Sequence, residues 1–187
     1  MQSQEKLIYF EYTIKSLLRW YEDIGLKEEH NNFSVLKSLK LLFFVSAAKS
    51  EPTKKSLLLE DVFDEFYALP YGHVESSIYK EIKVLNGNLN YYQINNNRVI
   101  KLDNASANIF ETLDTQITSE IEASIQYLKD SNKYLVKMSP FDLVNLSHAW
   151  YSWQKYYQLA KQSGSLSNKI PFEIIKSEDK LFKLNAF

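Results

Sequence analysis

The chain has 187 residues, 45% of them hydrophobic and 14% aromatic, enough to bury one sizeable core but cramped for two, so a single domain over 1–187 is expected. Lys plus Arg total 22 against 23 for Asp plus Glu, a balance that gives no global pull toward nucleic acid or an anionic membrane. The absence of cysteine excludes disulfides, thiolate catalysis and Cys-ligated zinc or iron–sulfur clusters, and fits a reducing compartment.

The first residues, Met1 to Lys6, lack the basic and long apolar regions of a secretion signal, so the expected localisation is cytoplasmic. From Lys6 to Lys27 apolar residues recur at helical spacing (Leu7, Phe10, Ile14, Tyr21, Ile24) and Gly25 punctuates the end, which predicts an amphipathic helix within about residues 1–30. A second helix is predicted from Ser34 to about Lys49, closed by Pro52, and its Leu41–Val45 run is apolar all round, as in a central helix. Lys40 interrupts and Lys49 stops the most apolar stretch, far short of the ~20 residues that span a bilayer. No membrane segment is expected.

Leu57 to Ala68 interleaves carboxylates with Val62, Phe63, Phe66 and Tyr67 at spacings that predict a third helix. Pro70 and Gly72 break it, and Val74, Ile78 and Ile82 resume a helical period, so the break is read as lying between two helices. Asn86-Gly87-Asn88 marks a turn, and the flanks of Asn95–Asn97 favour strand, predicting a small β-hairpin over about 89–102. Asp103 or Asn104 is expected to cap a long helix whose stripe is Ile109, Leu113, Ile117, Ile121, Ile125 and Leu128. Ser139 and Pro140 read as an N-cap followed by proline at the first helical position, opening a helix that presents Leu143, Leu146, Trp150, Trp153 and Tyr157 and ends at Gly164. Ile170 to Phe187 is expected to pack as a last short helix. The fold class is therefore mainly α: a compact helical bundle with one hairpin.

No catalytic constellation assembles from these elements. Glu60, Asp61, Asp64 and Glu65 could pair as acid/base or metal ligands, but read more simply as a solvated acidic face. His30, His73 and His148 follow no metal-ligand spacing. His73 is taken as a turn residue whose imidazole bonds local backbone, and His148 as a satisfied, half-buried helix residue. There is no G-x-S-x-G and there are only four glycines, which disfavours a serine nucleophile or a phosphate-cradling loop. The Trp150–Tyr157 aromatics read as core rather than a base-stacking platform, and the chain has only two arginines, Arg19 and Arg98, against a recognition helix. The expectations are no enzyme activity, no metal and no cofactor.

Two stretches together resemble the Panacea domain family, the SocA-like antitoxins and phage-associated GepA-like proteins. Lys40-Leu41-Leu42-Phe43-Phe44 is similar to that family's K-L-L-Y-F helix. Ala68, Tyr71, Gly72, Val74 and Tyr79 fit its Ala-Trp-x-Tyr-Gly-Pro-Val signature and the tyrosine beyond, with Leu69 in place of tryptophan and His73 in place of proline. Leu146-Ser147-His148 with Trp153 resembles its Leu-Ser-His motif. The family proline just before that tryptophan is missing here, so the helix is expected to continue where relatives break. The resemblance covers about residue 35 to the C-terminus. It implies an antitoxin-like module that binds a protein partner: a cognate toxin, and a protease or chaperone if the toxin is presented for proteolysis. Partner-binding or motif roles fall to Ala68, Tyr71, Gly72, His73, Val74, Tyr79, His148 and Trp153. The alternative, a DNA-binding regulator, is disfavoured by the charge balance.

Overall fold

A computed structural model describes residues 1–183. Its elements in chain order are α1 (Ser3–Asp23), α2 (Val35–Ala47), β1 (Phe66–Leu69), β2 (Gly72–Glu75), α3 (Ser76–Val84), β3 (Tyr92–Ile94), β4 (Val99–Lys101), α4 (Thr115–Ser131), α5 (Pro140–His148), α6 (Tyr151–Gln162), β5 (Asn168–Lys169) and α7 (Phe172–Ser177). The chain is mainly α, as its periodicities predict. α2 runs through the middle, with Leu41, Leu42, Phe43, Phe44 and Val45 wholly buried, and packs on α4, α5 and β2. Helices α1 and α4 pack on one another and on α2, burying the Ile117, Ile121, Ile125, Leu128 stripe of α4.

Local chemistry accounts for several boundaries. The Ser34 hydroxyl accepts from the Lys37 amide at the start of α2, and Ser139 accepts from the Asp142 amide at the start of α5, with Pro140 first in the helix. The β3–β4 hairpin falls inside the predicted 89–102, with Ile94 opposite Val99. Its edge is held by Asn31, whose side-chain oxygen accepts the Val99 amide at 3.1 Å while its NH2 donates to the Val99 carbonyl at 2.8 Å.

Three predicted elements differ from the fold. The 57–68 segment is not one helix: Leu58–Val62 forms a wide π-type turn and Phe66–Leu69 is a strand. Phe66 and Ala68 alternate inward with Tyr67 and Leu69 half-exposed, a period of two that the interleaved carboxylates mask. The Glu120 carboxylate of α4 takes the Leu57 and Leu58 amides at 3.0 and 3.2 Å, capping the start of the turn. Pro70 and Gly72 join two antiparallel strands, with Leu69 opposite Gly72 and Ala68 opposite His73, and do not separate two helices. Strand β5 extends this sheet to the order β2-β1-β5.

The second correction concerns α4. It begins at Thr115 with Asp114 as its cap, the carboxylate accepting the Gln116 amide at 2.7 Å, so Asp103 and Asn104 cap nothing in it and Ile109 and Leu113 precede it. The Asp114 amide donates to the Tyr9 hydroxyl at 3.0 Å, anchoring the start to α1. Third, the helix from Pro140 does not run on to Gly164. It stops at His148 and restarts at Tyr151, with Trp150 extended between them (φ −75°, ψ 135°). Trp150 is drawn inward against Phe43 and Phe182, its indole N–H donating to the Leu181 carbonyl at 3.0 Å. Glu178 caps the new helix through the Ser152 amide at 2.9 Å. The C-terminal segment forms α7 as expected, and residues 184–187 of that reading lie outside the described residues.

Candidate functional site

The two motif stretches meet at one place, Tyr79 apart. Strand β2 lies between α2 and α5, which sets His73 against Phe43 of α2 in a parallel stack, ring centres 3.6 Å apart and 6° between planes. The Lys40 amine, one turn before Phe43, donates to the His73 carbonyl. From α5, the Ser147 hydroxyl accepts the His73 backbone N–H at 3.0 Å and lies 2.8 Å from Nδ1. From α6, Ser152 lies 2.8 Å from Nε2. His73, Ser147, Ser152 and Lys40 are all completely buried. His73 is thus no turn residue bonding local backbone, because the hairpin places it in mid-strand, facing the helices.

Both ring nitrogens face hydroxyls, Nδ1 that of Ser147 and Nε2 that of Ser152, so in the neutral ring one nitrogen donates and the other accepts. Burial holds the imidazole well below its ordinary range, with the charges of Lys40 and His148 adding to the effect, so the ring is neutral near pH 7. Burial lowers Lys40 to about 7. Glu178 is pushed upward by burial, against the bonds it accepts from the Ser152 hydroxyl and amide. With both ring nitrogens engaged and no exposed atom, the imidazole works as a cross-link tying the hairpin to α5 and α6.

Close packing makes Gly72 part of the same clamp. It adopts φ +93°, and a Cβ there would come within 2.4 Å of Ser147 Oγ and 3.0 Å of Lys40 Cε. Ala68 and Val74 are buried on the sheet, whereas Tyr71, at the hairpin tip, is 60% exposed. His148 is half-buried, and since a carbonyl can only accept, its Nε2–H donates to the Pro70 oxygen at 3.1 Å. Burial lowers this imidazole too, against the Pro70 bond that raises it. The Trp153 indole donates to the Leu69 carbonyl at 2.8 Å. His148, Trp153 and Tyr157 form a stack beside the hairpin, with centres 3.7 and 5.0 Å apart. Tyr79 is not part of this assembly; it sits half-buried on α3 under Lys83.

Sequence reasoning missed Ser152, Glu178 and the buried role of Lys40. One signal was present: both positions where the resemblance expects proline, 73 and 152, carry polar residues instead, and the fold joins them by the His73–Ser152 hydrogen bond. The acidic residues of 60–65 are ion-paired rather than gathered: Glu60 with Lys176, Asp61 with Lys55, Asp64 with Lys6 and Glu65 with Lys169. Among the described residues no group of three His, Asp or Glu side chains could hold a metal ion, and no helix is long and apolar enough to cross a membrane.

A family model described as Antitoxin SocA-like, Panacea domain, matches residues 39–154. No curated protein and no solved structure matches the chain. The matched span takes in every residue of the clamp except Glu178.

Proposed function

The chain belongs to the SocA-like antitoxin family of Panacea domains, and from that premise we propose that it is a cytoplasmic antitoxin that neutralises a partner toxin by direct binding. The observation that carries this reading is the clamp. Its polar groups are spent on one another inside the protein, and its effect is to hold a fixed outer surface: the Tyr71 tip and the His148–Trp153–Tyr157 stack. Rigid aromatic area of this kind suits protein contact, because little conformational freedom is lost on binding. The chain acts by binding rather than catalysis, a reading supported by the burial of His73 with both its serine partners, Ser147 and Ser152, which seals them from any substrate.

Co-expression with the product of the neighbouring gene tests the reading. That product alone should arrest growth, the pair should grow, and the two chains should co-purify. Tyr71→Glu, altering only an exposed side chain, should weaken the complex while leaving the thermal midpoint unchanged. A harmless neighbour and no complex would sink the antitoxin function. DNA regulation is tested by titration with the chain's own promoter: submicromolar, steeply salt-dependent binding would favour it.

A further inference from the structure

From Leu143 to Phe172 the sequence contains no carboxylate over thirty consecutive residues. That stretch builds most of α5, all of α6 and β5. Of its cations, Lys169 reaches Glu65 at 3.8 Å, but Lys155 and Lys161 meet no acidic side chain among the described residues. They lie over aromatic rings instead. Lys155 Nζ is 5.6 Å from the ring centre of Tyr151 and 5.7 Å from that of Tyr156, and Lys161 Nζ is 5.2 Å from that of Tyr157. Tyr151 is 55% exposed and Leu159 41% exposed on the same helix. In a chain whose net charge is −1, α6 therefore presents an aromatic, one-signed face that no acidic side chain among the described residues neutralises.

We infer that this face of α6 docks an acidic segment of a protein partner, with carboxylates on Lys155 and Lys161 and apolar side chains over Tyr151 and the Trp153–Tyr157 stack. Six residues separate the lysines, which is about 9 Å along a helix at 1.5 Å per residue, and they sit on opposite sides of the exposed ridge. One carboxylate cannot serve both. An extended segment with carboxylates four residues apart, on one of its faces and about 13 Å from one another, spans the distance along and across the ridge. Charge complementarity argues for the acidic segment, because a cation already resting on a ring gains when a carboxylate replaces water around it. Nucleic acid fits less well: both arginines lie elsewhere, on α1 and beside β4, and two unpaired lysines are too few to track a phosphate backbone. The inference rests on the antitoxin reading only for the identity of the chain that carries the segment.

The test begins with the full chain and a synthetic dodecapeptide that carries glutamate and leucine or phenylalanine in turn at every second position, with serine between, compared with the same peptide carrying glutamine for glutamate. The acidic peptide should shift the Trp153 indole N–H resonance and bind about tenfold or more tightly than the glutamine peptide, with the gap closing in high salt. Lys155→Glu/Lys161→Glu should lose that preference at an unchanged thermal midpoint, and the charge-matched Lys15→Glu/Lys83→Glu protein, altered on α1 and α3, should keep it. Equal binding of the two peptides, or an unaffected double variant, overturns the inference. So does tighter, salt-dependent binding of a single-stranded dodecanucleotide. In a co-purified complex, carbodiimide should join Lys155 or Lys161 to partner carboxylates. A complex lacking such cross-links and indifferent to Lys155→Glu/Lys161→Glu removes this face while the antitoxin reading stands. Peptide binding as expected, with no complex formed, does the reverse.

Discussion

Replacing Gly72 with alanine pushes a methyl group into the clamp at its tightest point. Two costs add. The residue sits at φ +93°, where an L side chain strains the backbone by about 1–3 kcal/mol. The new Cβ also falls 2.4 Å from Ser147 Oγ and 2.9 Å from Ser147 Cβ, and overpacking of that kind costs about 1–3 kcal/mol. The sum is about 2–6 kcal/mol, which for a chain of this size lowers the midpoint by roughly 4–24 °C. Gly25 separates the two contributions, because it has φ +85° with nothing within 4 Å of its Cβ position; Gly25→Ala should show the backbone strain alone. Urea unfolding of the two variants and the parent, with slopes compared, gives the difference. Placing Gly72→Ala in a Ser147→Gly background should reduce its excess over Gly25→Ala. If Gly72→Ala costs no more than Gly25→Ala in the parent, the close packing of the hairpin on α5 is wrong.

His73 and Ser152 should be energetically coupled. In a cycle of His73→Phe and Ser152→Ala, each single variant leaves a buried polar group without its partner, at about 1–3 kcal/mol, and the double should cost less than the sum by about 1 kcal/mol; strict additivity would show that the pair is not bonded. Lys40, lowered to about 7 by burial, has an unfolded value near 10.5, so between these the unfolded chain holds a proton that the folded chain lacks. Stability from this group therefore rises with pH across that window, by about 1.4 kcal/mol per pH unit at most. Lys40→Met should flatten the rise between pH 7 and pH 9 in denaturant titrations, and an unaltered slope would mean that the amine stays charged when buried. Glu11, wholly buried, accepts the Tyr91 and Tyr92 amides at 2.7 and 2.9 Å and the Asn90 side chain at 2.9 Å. Glu11→Ala should cost about 2–5 kcal/mol and Glu11→Gln less, with faster amide exchange at Tyr91 and Tyr92; protection unchanged in Glu11→Ala would refute that anchoring.

What sequence alone determined is what neighbours along the chain decide. The helical stripes of α1, α2 and α4, the Ser34 and Ser139 caps and the Asn95–Asn97 reversal all follow from spacing and backbone chemistry within a few residues. The order of the motif stretches was also legible, and the family match over 39–154 covers them. Only the tertiary structure decided which of two competing periods governs 57–69, because the backbone of 66–69 finds its ladder partners in β2 and in β5, the latter about a hundred residues on. It likewise decided that α5 breaks from α6 without a proline, where Trp150 gains burial and Glu178 supplies the cap. His73 reads as a turn residue from its Pro and Gly neighbours, and becomes the centre of a clamp because Phe43, Ser147 and Ser152 arrive from three helices. Local pattern carries conformational preferences worth tenths of a kcal/mol per residue, whereas a buried polar group left unpaired costs about 1–3 kcal/mol, so where the two conflict the distant partner prevails.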